Sequence, residues 1–320
     1  MQIITAKNSG FCFGVKNAVV LAENAAIEHG GKQIFTLGKL IHNESITNKL
    51  AESGIQSVET LEQLLTVAKM PANTVVIIRS HGVSNNIMQQ LIIRGFIVID
   101  ATCQYVKKTH NIVSENYAKG HAIIILGQDN HPEVIGINGH CNNMAIIIDS
   151  IEDVEQKLSA VCNHLSSTQK ICTVVQTTFD VNKHTILKDK IEEFFNGKAA
   201  LSTQKNSLKK KYNNVENFVE FFNTVCYTTK VRQQEAVSLS KKCDIMLVLG
   251  SDKSSNTTKL LQLCLKQNPH SYLISRLSDL DAITIKNESC IGITAVASTH
   301  DEFVQKVTKH IYGKRVRNRD

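Results

Sequence analysis

Cys12, Cys103 and Cys226 each stand where a short apolar run gives way to a helical pattern, in GFCFG, DATCQ and NTVCYTT. Thiolates hold iron–sulfur clusters: four close a four-iron cubane, while three leave one iron open to substrate. A free Cys is equally a small buried hydrophobe, and the other six of the nine fit that reading. Cys162 and Cys264 fall within helical patterns, Cys172 in a strand, and Cys141, Cys243 and Cys290 near element ends. His42, His81 and His131 occupy similar junctions in IHNE, SHGVS and NHPEV. A lone His is more often a structural or surface residue, but three at equivalent junctions point to a site, with zinc on His and Cys ligands as one reading. Glu133 follows Pro132 at a helix start, placed either to relay a proton or to favour the helix dipole. Thr177 closes a strand, where it could cap the next helix or meet a ligand. Ser254, Ser255 and Asn256 open a helix; a cap accounts for one of them, and three small donors together suit a phosphate.

The elements that must position these groups alternate almost from end to end. Strand patterns cover 33–38, 74–80, 96–102, 121–127, 144–149, 170–177, 244–251, 271–276 and 289–296. Amphipathic helical patterns follow most of them, as at 15–29, 84–94, 104–119, 229–242 and 299–312. Such alternation predicts an α/β fold with parallel sheets flanked by helices, as one long sheet or as three smaller units. The polar motifs then fall at the carboxyl ends of parallel strands, the usual ligand edge. Neither GxxxxGK[ST] nor GxGxxG occurs, so an ATP P-loop and a dinucleotide fingerprint are unsupported.

A formal charge of +7 invites a nucleic-acid reading. Its whole excess resides in Lys205, Lys209, Lys210 and Lys211 and in a tail with Lys314, Arg315, Arg317 and Arg319 offset by Asp320. An exposed insertion at 198–214 and a frayed tail explain this better than a binding stripe, so no nucleic-acid partner is expected. The N-terminal stretch has no signal-peptide pattern, and the longest apolar runs are too short to span a bilayer. Nine loosely spaced cysteines argue against a secreted disulfide framework. The expectation is a cytoplasmic protein with no membrane partner.

In this order and spacing, the motifs resemble the 4-hydroxy-3-methylbut-2-enyl diphosphate reductase family from Met1 to about Gly313. The resemblance implies three small domains with parallel sheets around one central 4Fe–4S cluster. It implies boundaries at 14–102, at 103–225 with the insertion 198–214, and at 1–13 plus 226–313, followed by a basic tail 314–320. The cluster ligands would be Cys12, Cys103 and Cys226. The substrate diphosphate would lie among His42, His81, Ser254, Ser255, Asn256 and Ser298. His131 and Thr177 would meet the substrate alcohol, and Glu133 would feed protons to the departing oxygen. The implied reaction removes a hydroxyl reductively from a small allylic diphosphate to give isopentenyl and dimethylallyl diphosphate. Its electrons would come from an external one-electron donor such as ferredoxin or flavodoxin.

The family pattern has Gly where this chain has Val296, and Pro where it has His300. A β-branched residue tolerates positive φ badly, so ordinary backbone angles and an inward side chain are expected at Val296. Thr299 and Glu302 fit a capping box, T-H-D-E, with His300 at the first helical position. Two readings from other classes compete: a non-catalytic iron–sulfur sensor, and a hydrolase with zinc on His and Cys ligands. The sensor has no use for Glu133 and Thr177, and the hydrolase requires stoichiometric zinc.

Overall fold

A computed structural model describes residues 2–41, 43–162, 169–201, 218–286 and 289–317. The chain divides into two compact units, Met1–Glu59 with Tyr227–Asp320, and Thr60–Cys226. It is an α/β protein built from three parallel-sheet units flanked by helices.

In the first unit, β1 (Gln2–Thr5), β10 (Ile245–Leu249), β11 (Ser271–Ile274) and β12 (Cys290–Ala295) form a sheet in the order β1-β12-β10-β11. All pairs are parallel, with Gln2 opposite Cys290 and Ile245 opposite Ile291. Strands buried on both faces read as unbroken apolar runs, and IMLVL of β10 is buried throughout. Met246 and Val248 pack on one face with Ala236, Leu260 and Val296; Ile245, Leu247 and Leu249 pack on the other with Val304, Val307 and Ile311. The covering helices are α9 (Tyr227–Ser240), α10 (Ser255–Leu265) and α11 (Asp301–Arg317), and α1 (Phe13–Glu28) follows β1 in the same unit. This unit also holds the parallel pair β2 (Gln33–Leu37) and β3 (Ile55–Val58), joined through α2 (Glu44–Glu52).

The second unit begins with α3 (Leu61–Val67) and the parallel pair β4 (Thr74–Ile78) and β5 (Ile97–Asp100), joined through α4 (Asn85–Ile93). Its own four-stranded sheet has the order β7-β6-β8-β9. These strands are β6 (Ala122–Leu126), β7 (Ile146–Ile148), β8 (Ile171–Val175) and β9 (Val219–Phe221), all paired in parallel. The flanking helices are α5 (Gln104–Ala118), α6 (Pro132–Asn138), α7 (Ile151–Cys162) and α8 (Val181–Leu201).

Three strands escaped the sequence patterns: β1, β3 and β9. Each ends its sheet and has three or four residues with polar members, so no apolar run marks it. Two ends also differ from expectation. Helix α8 enters the proposed insertion as far as Leu201, and residues 202–214 lie outside those described. Helix α11 continues through Arg317, so the expected frayed tail begins as regular helix. Among the described residues no helix is long and apolar enough to cross a membrane.

Candidate functional site

Parallel strands in register end together, and that places the polar motifs on the carboxyl edge of each sheet. In the second unit, Cys103 follows β5 as the N-cap residue of α5, and its N–H donates to Ser80 O at 3.0 Å. Ser80 and His81 lie in the turn after β4. Gly82, at φ +72°, closes that turn, where a Cβ would approach the His110 ring at 2.6 Å. His110 is stacked on His140 at 4.0 Å between ring centroids. Burial, then the neighbouring His140, pushes the His110 pKa down to about 3, so the ring is a neutral packing element.

After β6 the chain turns at Gly127 into His131, the N-cap residue of α6, with Pro132 in the first turn. His131 Nδ1 accepts the Glu133 N–H at 3.1 Å, which fixes the neutral tautomer with its proton on Nε2. The His81 and His131 rings meet edge to face, 5.3 Å between centroids. Glu133 is 1% exposed. Its two oxygens accept from one residue: Thr177 N–H at 2.6 Å and Thr177 Oγ at 2.8 Å. Thr177 O in turn accepts the Cys226 N–H at 3.0 Å. Thr177 therefore does not cap α8; it locks the carboxylate. The unit joins His81, His131, Glu133, Thr177 and Cys226 in one continuous set of contacts.

In the first unit, Cys12 is the N-cap residue of α1, without a side-chain capping bond. Ser254 caps α10, accepting the Thr257 N–H at 3.4 Å, so the capping reading accounts for this serine. Ser255 and Asn256 occupy the first turn and are partly exposed. Ser298 is partly exposed after β12, and its carbonyl accepts Asn43 Nδ2 at 2.8 Å. Asn43 also caps α2, taking the Ile46 N–H at 3.1 Å. The motif IHNE contained this anchor, but only its histidine drew notice. His42 lies outside the described residues.

Val296 is fully buried among Ala6, Leu239, Met246 and Leu260, and the positive-φ residues other than Gly among those described are Asn142 and Asn143. Gly250 makes room for it, since a Cβ there would approach Val296 Cγ2 at 2.7 Å. The expected Thr299–Glu302 capping box is not formed. Thr299 Oγ donates to Leu249 O at 3.0 Å across the sheet, and His300 Nδ1 takes the Glu302 N–H at 3.2 Å instead. Leu249 O also accepts the Val296 N–H at 3.1 Å, so its second lone pair satisfies the buried hydroxyl that a local cap would otherwise use.

None of the described cysteines is in a disulfide. Cys12, Cys103 and Cys226 are partly exposed and directly precede helices, so their sulfurs are accessible to a cluster of iron and sulfide. Burial instead pushes the thiols of Cys141 and Cys172 up to about 11 and about 12, and also raises that of Cys264. Cys162 has no described side chain. Cys12 belongs to the first unit, and Cys103 and Cys226 to the second. Among the described residues no three His, Cys, Asp or Glu side chains form a group that could hold a metal ion.

The family model described as LytB protein matches residues 3–312. A 4-hydroxy-3-methylbut-2-enyl diphosphate reductase of Clostridium perfringens is 39% identical over 312 residues, covering 97% of this chain and 98% of that protein. The same-named protein of Caldanaerobacter subterraneus subsp. tengcongensis is 37% identical over 318 residues, covering 97% and 96%. A solved Plasmodium falciparum structure, an E-1-hydroxy-2-methyl-but-2-enyl-4-diphosphate reductase, has a TM-score of 0.81 at 27% identity, covering 96% of this chain and 87% of that one.

Proposed function

Because the chain belongs to the LytB family of reductases, we propose that it converts (E)-4-hydroxy-3-methylbut-2-enyl diphosphate to isopentenyl and dimethylallyl diphosphate. Two electrons and two protons enter, the allylic C–O bond breaks, a C–H bond forms and water leaves. One 4Fe–4S cluster, when held by Cys12, Cys103 and Cys226, would supply single electrons from an external donor and a Lewis-acid iron for the hydroxyl. In this reading three domains, bounded as the family pattern implies, surround the cluster, with Cys12 and Cys226 from 1–13 plus 226–313 and Cys103 opening 103–225, and the enzyme works in the cytoplasm.

The observation that carries the reading is the Glu133–Thr177 pair. A carboxyl group 1% exposed and bonded twice to one threonine is held for a proton transfer that bulk water cannot serve. Thr177 Oγ donates to Glu133 and keeps lone pairs to accept from the substrate alcohol. In turnover a protonated Glu133 donates to Thr177 Oγ, and the threonine hydroxyl turns to donate its own proton to the departing oxygen. His131, with its Nε2–H, donates to the same alcohol, while His42, His81, Ser254, Ser255, Asn256 and Ser298 take the diphosphate. Neutral donors there avoid burying several lysine charges in the pocket.

Anaerobic purification, iron and sulfide analysis and turnover of the allylic diphosphate test the reading. Activity should accompany bound iron and sulfide. Cys12→Ser, Cys103→Ser and Cys226→Ser should deplete the cluster, while Cys141→Ser, Cys172→Ser and Cys264→Ser should leave it loaded. Stoichiometric zinc without colour would favour the hydrolase, and a loaded protein without turnover would favour the sensor.

A further inference from the structure

The backbone just ahead of Cys12 has an unusual amount of charged support. Ala6 leaves β1 with its N–H on Ile293 O at 2.8 Å, and Ser9 folds back to Ala6 O through Oγ at 2.8 Å. From α9, Arg232 then donates Nε–H to Asn8 O and Nη2–H to Gly10 O, both at 2.7 Å. One turn on, Glu235 accepts the N–H of Lys7 at 2.6 Å and that of Asn8 at 2.9 Å. Asn8 Nδ2 adds a third bond to Glu235 at 3.2 Å. Residues three apart share a helix face, so one face of α9 grips Lys7, Asn8 and Gly10. Arg232 is 5% exposed. A buried guanidinium is costly unless fixed acceptors match its fork, and here two carbonyls do. Burial would raise the Glu235 carboxyl, but the Asn8 and Lys7 N–H groups outweigh it and hold it below its ordinary range.

The loop is shaped for this grip. Gly10 stands at φ +85°, and a Cβ there would lie 2.1 Å from Asp301 Oδ1. The pinned segment ends at Gly10, two residues before Cys12, which begins α1. Strand β1 alone could not set that loop, being a four-residue edge strand. The chain also enters α9 directly from Cys226.

We propose that Arg232 and Glu235 are positioning residues that hold Cys12 ready to take iron, so that α9 serves two of the three ligands. The proposal rests on the reading that Cys12 binds the cluster. Its test compares Arg232→Lys, which keeps the charge but loses the fork, and Glu235→Gln, which keeps the size and one acceptor but sets an NH2 against the donors of Lys7 or Asn8. Val296→Ala is the control, because it loosens the core that packs Ala6 at the loop's start without removing any side-chain hydrogen bond to residues 7–10. The readouts are iron loss to a chelator from the reconstituted protein, the EPR spectrum of the reduced cluster, and alkylation of Cys12 by iodoacetamide in the apoprotein.

Both variants should lose iron about tenfold faster, the effect of one weakened charge-assisted bond. They should also broaden the EPR signal and change Cys12 alkylation, while Cys103 and Cys226 react as in the unaltered protein. Variants that match the unaltered protein in iron loss and alkylation would overturn the proposal alone. So would equal effects from Val296→Ala at the same unfolding midpoint, since general loosening would then suffice. An unaltered protein that takes up no iron and sulfide would overturn the cluster reading, and the proposal with it.

Discussion

Glu133→Gln separates the acid from the shape of its site. The amide oxygen of the substituted side chain can keep the bond from Thr177 N–H, now 2.6 Å long. Its NH2 group then faces Thr177 Oγ, at present 2.8 Å from the carboxylate. The threonine hydroxyl can rotate and accept, so both partners stay paired and no buried group is orphaned. The loss is that of turning two charge-assisted bonds into neutral ones, about 1–2 kcal/mol of stability. Turnover should fall by roughly a hundredfold or more, about 2.7 kcal/mol in the barrier, because the proton source is gone. Diphosphate affinity and iron content should stay close to normal. Thermal unfolding, substrate titration and turnover with a reduced electron donor measure the three quantities. Thr177→Val should cost a similar factor in turnover, and the double variant little more than either single, as expected of residues acting as a unit. Near-normal turnover by a folded, cluster-loaded Glu133→Gln protein would refute the assignment.

Val296→Ala should cost about 1–3 kcal/mol of stability by opening a cavity beside Gly250, with substrate affinity unchanged; weakened diphosphate binding would show that this side chain shapes the pocket after all. His110 gives a pH dependence of defined sign. Above pH 6.5 its ring is neutral in folded and unfolded chains, and the site is indifferent to pH. Below that, the unfolded chain gains a proton that the folded one refuses until about pH 3, so stability falls with pH by about 2 kcal/mol at pH 5. Denaturant midpoints from pH 8 to 5 should decline more steeply for the unaltered protein than for His110→Leu, and parallel profiles would contradict the buried neutral ring.

What the sequence disclosed depended on distance along the chain. AIIIL of β6 and ICTVV of β8 are buried almost without interruption, so their patterns marked the sheets. VEF of β9 and QIIT of β1 are held by neighbours rather than by their own apolarity. His131 and Glu133 were legible because their mutual bond is local. The bond that matters more joins Glu133 to Thr177 forty-four positions away, and only the motif order hinted at it. Arg232 and Glu235 gave no signal, because their partners lie more than two hundred positions upstream. Thr299 misled for a related reason: its hydroxyl serves a carbonyl on another strand.

The pairing of Gln2 with Cys290 has a consequence for biosynthesis. At about 5–20 residues per second, a ribosome needs on the order of 15–60 s to bring the partner of the first strand into being. Thr60–Cys226 is contiguous and can collapse meanwhile, with its Glu133–Thr177 bonds already assembled. The peptide bearing Cys12 has no such company: its clamp emerges with α9 and its neighbouring strand later still. Until then that thiol is exposed on an unanchored nascent chain, open to oxidation or to a holding chaperone. If Cys12 binds the proposed cluster, metal delivery to it in its native setting must therefore follow release of the last strand.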